Sequence, residues 1–77
     1  MIILKDYRLF YLPQCPYCKK VRDFMAEKGI ELKLEDITDP KVEEELVKLG
    51  GKAQVPMLYT GNKAIYESDD IIEFLKN

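Results

Sequence analysis

An α/β fold with the element order β-α-β-α-β-β-α is predicted by three features of this sequence. Strand-like apolar runs alternate with segments of helical spacing. A proline or a capping residue opens each helical segment, and a short turn joins the last two strand-like runs. The first connection is then a right-handed parallel crossover and the last pair an antiparallel hairpin. The expected architecture is a four-stranded mixed sheet flanked by three helices.

Tyr7-Arg8-Leu9-Phe10-Tyr11-Leu12 is aromatic and aliphatic nearly throughout, the pattern of a strand buried on both faces, and Pro13 ends it. Pro16 fits the first turn of a helix, where the missing N–H is no loss. Val21, Phe24, Met25 and Lys28 follow helical spacing from there, and Gly29 is a C-terminal stop. Residues 30–37 alternate apolar with charged, as a half-exposed strand does. Thr38 or Asp39 is the N-cap of the next helix, with Pro40 at its first position. Val42, Leu46, Val47 and Leu49 form its apolar stripe, and Gly50-Gly51 breaks it. Val55-Pro56-Met57-Leu58-Tyr59 reads as a short strand, Thr60-Gly61-Asn62-Lys63 as a turn, and Ala64-Ile65-Tyr66 as the returning strand. Ser68 is expected to cap the last helix, with Asp69 and Asp70 in its first turn and Ile71, Ile72, Phe74 and Leu75 on its buried face.

A chain of 77 residues is expected to form one domain, 1–77, near the lower limit for burying a core without staples. The hydrophobic share of 47% excludes a disordered chain. A net charge of −2 argues against nucleic acid as a partner. Up to residue 22, however, Lys5, Arg8, Lys19, Lys20 and Arg22 face only Asp6. The absence of histidine removes Cys–His protease chemistry, His-ligated metals and histidine acid–base catalysis together. Met1-Ile2-Ile3-Leu4 is followed at once by Lys5 and Asp6, so no signal peptide is expected. No apolar run approaches the roughly 20 residues of a membrane span. A cytoplasmic monomer with no membrane or nucleic-acid partner is the expectation.

The chemistry centres on Cys15-Pro16-Tyr17-Cys18, which holds both cysteines of the chain. The spacing puts the sulfurs within one helical turn, close enough for a small disulfide ring. Only a thiolate attacks a disulfide, so one thiol must be acidified. Cys15 stands at a helix N-terminus, where free N–H groups and the helix dipole favour negative charge. Pro16 offers no N–H, which leaves Tyr17 and Cys18 as backbone donors; Lys19, Lys20 and Arg22 are candidates to add positive potential. Cys18 is one turn inside the helix and more enclosed. Cys15 is accordingly the expected nucleophile and Cys18 the resolving thiol. A structural zinc site would need two further soft ligands, which the chain lacks, so no metal is expected. A disulfide closing so short a loop would stabilise little, which disfavours a purely structural pair.

Two further signals are weaker. Gln54-Val55-Pro56 is either an edge-strand feature or, if the Val55–Pro56 bond is cis, a tight turn leaving the Val55 backbone free to pair with an extended substrate. Glu67-Ser68-Asp69-Asp70 reads on its own as the capped start of the last helix.

Together the Cys15-Pro16-Tyr17-Cys18 motif, Val55-Pro56 and Glu67-Ser68-Asp69-Asp70 resemble the glutaredoxin family, on the thioredoxin-like fold, over nearly the whole chain. The resemblance implies thiol–disulfide exchange with glutathione as co-substrate and no permanently bound cofactor. It also implies disulfide-containing protein substrates and a reductase system as partners. Cys15 would carry the mixed disulfide, Tyr17 and Gln54 would line the groove, and Val55, ahead of Pro56, would pair with the cysteinyl backbone of glutathione. Glu67, Ser68 and Asp69 would hold the γ-glutamyl end. Glu67-Ser68 is similar as well to the Glu-Ser pair of the glutathione transferase N-terminal domain. A transferase also needs a helical second domain, which is not expected within these residues.

Three positions depart from the glutaredoxin pattern. Leu12 stands where a lysine commonly meets the glycyl carboxylate, Glu43 falls on a glutathione contact of the second helix, and Tyr66 replaces a common glycine. Lys52 and Arg8 are possible substitutes for the missing cation. Two substrates stay open: glutathione bound weakly, or a protein disulfide. Recycling by a thioredoxin reductase is the alternative within the same chemistry. A different class, an iron–sulfur carrier bridging two copies through Cys15, is disfavoured by Pro16 and by the available Cys18.

Overall fold

A computed structural model describes residues 2–76, so residues 1 and 77 of the expected domain lie outside the described part. The elements are β1 (Ile2–Tyr11), α1 (Pro16–Lys28), β2 (Ile30–Asp36), α2 (Pro40–Gly50), β3 (Met57–Tyr59), β4 (Ala64–Tyr66) and α3 (Ser68–Lys76). They build a four-stranded mixed sheet in the order β2-β1-β3-β4 with three helices, the architecture expected from the sequence. β1 runs parallel to β2, with α1 as the crossover, and antiparallel to β3, which turns back into β4.

Successive side chains of a strand point to opposite faces, and the centre of the sheet uses both. Leu9 and Leu58 face one side, where Val21 and Met25 of α1 and Ile71 of α3 cover them. Phe10 and Met57 face the other and pack under Leu46 of α2, with Val42 and Leu49 beside them. β1 is therefore buried on both faces at its carboxyl end, as its unbroken apolar run predicted.

Several boundaries differ from the sequence reading. β1 begins at Ile2 rather than Tyr7, because Ile2–Leu4 pair with Ile30–Leu32. The register then jumps: Leu4 faces Leu32 but Arg8 faces Lys33, so β1 bulges through Lys5, Asp6 and Tyr7 and its side-chain alternation is interrupted there. Leu12 lies beyond the strand, its carbonyl accepting the Cys15 N–H at 3.0 Å in the turn that leads to α1. β3 starts at Met57 rather than Val55. α2 takes Asp39, not Thr38, as its cap, with the carboxylate accepting the Lys41 N–H at 2.9 Å. Ser68 is the first residue of α3 rather than its cap. The capping position belongs to Glu67, whose carbonyl accepts the Ile71 N–H at 3.0 Å.

Candidate functional site

β1 ends beneath the start of α1, so the turn 12–15 delivers the cysteine motif to the carboxyl edge of the sheet, where open α/β sheets carry their sites. Cys15 is the N-cap, with extended backbone (φ −82°, ψ 121°); its carbonyl accepts the Lys19 N–H at 3.0 Å, while its side chain makes no capping bond. The thiol is left to face the amides of the first turn. Both cysteines are free thiols; Cys15 is half-buried and Cys18 fully buried.

Their acidities diverge for identifiable reasons. Burial opposes ionisation of Cys15, but the N–H and thiol of Cys18 and the N–H of Tyr17 outweigh it and hold Cys15 below its ordinary value. Burial pushes the Cys18 thiol up to about 11. The Leu12 N–H, 3.5 Å from Cys18 Sγ, and the charge of Arg22 oppose that rise without cancelling it, while the bond to Cys15 and its charge add to it. The basic residues that are candidates to add positive potential at Cys15 have other partners. Lys19 pairs with Asp23 at 2.7 Å and Lys20 with Asp69 at 2.5 Å, and Arg22 acts on Cys18.

A groove of about 420 Å³ opens beside the motif, lined by Tyr17, Gln54, Val55, Pro56, Glu67, Ser68 and Asp69. Tyr17, Gln54, Val55, Pro56, Glu67, Ser68 and Asp69, all named from the sequence as groove residues, are in this lining; Cys15 itself is not, and stands at the helix start two residues before Tyr17. The Val55–Pro56 peptide bond is cis. Gln54 Nε2 donates to Glu67 Oε1 at 3.2 Å, tying the two loops of the groove together. Glu67 has φ 71°, a left-handed conformation that costs a non-glycine residue about 1–2 kcal/mol. A larger depression of about 570 Å³, between β1 and β2, is lined by Ile3, Leu4, Leu32 and Leu34 among others and holds no thiol.

The substitutes suggested for a missing cation are not in the groove. Arg8 is engaged by Glu35 and Glu45 and stacks 4.9 Å from the Phe10 ring centroid. Lys52 lies over Tyr66 at 4.6 Å from the ring centroid, and Glu43 lines a separate hollow on α2. What the sequence reading missed is the Leu12 amide on Cys18 and the Lys20–Asp69 pair. The first depends on a turn, the second joins residues 49 apart, and neither leaves a local signal. Among the described residues no cluster of ligands suits a metal ion, and no helix is long and apolar enough to cross a membrane.

A free thiol pair at the start of the first helix, with Tyr17 between the two cysteines sharing a groove with a cis-proline loop on this sheet, defines a domain of the thioredoxin-like class. Within that class, the sequence pattern of the family "Glutathione S-transferase, N-terminal domain" matches residues 9–77, and the chain belongs to that family. Glutaredoxin 1 of Rickettsia prowazekii (strain Madrid E) is 29% identical over 77 residues, covering 96% of this chain and 81% of that protein. Glutathione transferase Omega 3C from Trametes versicolor superposes with a TM-score of 0.82 at 30% identity; the match covers 92% of this chain but only 32% of the transferase. Glutaredoxin grx-1 from Archaeoglobus fulgidus has the same fold, with a TM-score of 0.77 at 21% identity over 94% of this chain and 87% of that one.

Proposed function

We propose that this protein is a dithiol thiol–disulfide oxidoreductase, with Cys15 as nucleophile, Cys18 as resolving thiol and glutathione as the recycling thiol. One observation carries the reading: two free thiols stand one helical turn apart, Cys15 half-buried at the N-cap of α1 and Cys18 fully buried, in the same motif as Tyr17, which lines the groove. The Cys15 thiolate attacks a substrate disulfide, its sulfur bonds to one substrate sulfur, and the other leaves with the electron pair and takes a proton from solvent. Cys18, once deprotonated, attacks Cys15 Sγ and releases the second substrate thiol, leaving a Cys15–Cys18 disulfide. Two glutathiones return the pair to dithiols and become oxidised glutathione.

In the groove, the Val55 backbone pairs with the cysteinyl part of the bound thiol and Tyr17 covers it. The amides opening α3 at Ser68 and Asp69 receive the γ-glutamyl carboxylate. Glu67 and Asp69 line the groove, and among the described residues the lining holds no cation beyond Lys20 paired to Asp69 at its rim, which favours a protein-borne mixed disulfide over free oxidised glutathione. We place this chemistry in the cytoplasm, where thiols stay reduced, in a single-domain monomer.

The test is turnover of a glutathionylated peptide, with glutathione plus glutathione reductase in one arm and thioredoxin reductase in the other. Turnover in the glutathione arm supports the reading. Turnover in the second arm alone would transfer the protein to thioredoxin-reductase recycling, and turnover in neither would refute the oxidoreductase assignment. A second reading, glutathione conjugation, is favoured by the family match over residues 9–77 and by the transferase neighbour. Conjugation of an electrophilic aromatic substrate by a Cys15→Ser variant would support it, since that variant has no attacking thiol for exchange.

A further inference from the structure

We propose that Arg22 is a positioning residue for the resolving step, its guanidinium stabilising the Cys18 thiolate as that sulfur attacks the mixed disulfide on Cys15. The proposal rests on the dithiol reading above. Arg22 follows Cys18 by four residues on α1, and helical side chains lean toward the N-terminus, so Arg22 lies over the turn that carries Cys18. Its guanidinium carbon is 5.0 Å from the Tyr11 ring centroid. The next residue in the chain, Leu12, directs its N–H at Cys18 Sγ. Two consecutive residues, Tyr11 and Leu12, thus meet the guanidinium and the sulfur in turn.

The side chain is also incompletely satisfied. Arg22 Nε is buried with no acceptor among the described residues. The cations around it differ: Lys19 and Lys20 have carboxylates, and so does Arg8. A buried donor with no acceptor is rare in a folded protein and calls for a reason. An anion that exists only during turnover supplies one.

The charges bearing on Cys18 are few. From α1 they are Cys15 and Arg22; in the turn after β1 the Leu12 amide meets the sulfur, and the Tyr11 ring meets Arg22. Asp69 of α3 is paired with Lys20. When Cys15 is capped as a mixed disulfide its negative charge is gone, and among the described residues Arg22 is the charge still acting on Cys18. In the step itself, Cys18 gives its proton to solvent and its Sγ bonds to Cys15 Sγ. The bond from Cys15 to the substrate sulfur breaks, and that sulfur leaves with the electron pair and is protonated by solvent. The substrate thiol is reduced and the cysteine pair oxidised.

Two measurements test this with Arg22→Gln and Arg22→Lys. The first is the thiolate absorbance of Cys18 against pH in a Cys15→Ser background. The second is the rate of thiol release from a preformed Cys15 mixed disulfide across pH. Arg22→Gln is expected to move the Cys18 titration to higher pH and, at pH values below it, to slow release about three- to fourfold for each unit moved, the tenfold loss of thiolate being partly offset by its greater nucleophilicity. Arg22→Lys is expected to restore both, and formation of the mixed disulfide is expected to be unchanged. Slowed release with an unmoved titration would reduce Arg22 to a packing role and overturn the proposal, as would no change in either. If the wild-type protein formed no mixed disulfide, the oxidoreductase reading would fail on its own, and the Cys18 titration would still decide whether Arg22 acts on that thiol.

Discussion

Cys15 and Cys18 share a residue type and a helix, yet their surroundings push them in opposite directions. Cys15 has amides to receive its charge, whereas Cys18 has a core around it. Alkylation followed site by site should therefore modify Cys15 at pH values below the ordinary thiol range, with Cys18 reacting only under strongly alkaline conditions. The same asymmetry appears in stability. A thiol raised to about 11 in the folded state favours the neutral form, so its contribution is full below the unfolded thiol value, about 8.5, and is lost as pH rises toward 11. Cys15 runs the other way: its lowered value contributes above the unfolded pKa and is lost as pH falls through the folded one. Urea midpoints of the reduced protein should fall between about pH 8.5 and 11, and Cys18→Ala should lack that part of the fall. An identical alkaline decline in the variant would contradict the burial argument.

At the scale of elements, the meeting of α2 with the hairpin is set by one close approach. Gly50 ends α2 under Tyr66, and a Cβ there would overlap the Tyr66 hydroxyl, which donates to the Lys52 carbonyl at 2.9 Å. Gly50→Ala improves helix propensity by about 1 kcal/mol in the absence of contacts, yet here it should destabilise by about 1–3 kcal/mol. Adding Tyr66→Phe should recover part of that loss. Additive effects in urea titrations of the single and double variants would refute the clash. The elements themselves were legible because their signals are local: Pro16 and Pro40 open helices, Gly29 closes one, and Thr60-Gly61-Asn62-Lys63 turns a hairpin. The first half of β1 was not, because the bulge at Lys5–Tyr7 breaks the alternation that marks a strand. The cap of α3 was misread because Ser68 is a strong capping residue, whereas the position is held by Glu67 in a conformation that sequence preference disfavours. The groove was legible through short motifs. The occupancy of Arg8 and Lys20 was not, since ion pairing across the fold depends on tertiary packing.

Across the whole molecule, two apolar layers meet on a sheet whose central strand contributes Leu9 to one and Phe10 to the other. Both are fully buried, and little else in so small a chain can compensate for either. Phe10→Ala should cost about 3–5 kcal/mol, a large part of the 5–15 kcal/mol available to a typical folded domain. A shift in the urea midpoint equivalent to less than about 1 kcal/mol would mean that the α2 layer is not required for the fold. The sheet that these layers stabilise holds the cysteine motif opposite Val55-Pro56, and the functional account depends on that juxtaposition. In the proposed mechanism Cys15 attacks and Cys18 resolves. The most direct test is to mix wild type, Cys15→Ser and Cys18→Ser each with a glutathionylated peptide and to map the products by mass spectrometry. The account predicts a stable adduct on Cys15 in Cys18→Ser, no adduct in Cys15→Ser, and in wild type a Cys15–Cys18 disulfide with the thiols released. An adduct forming on Cys18 as readily as on Cys15 would contradict it.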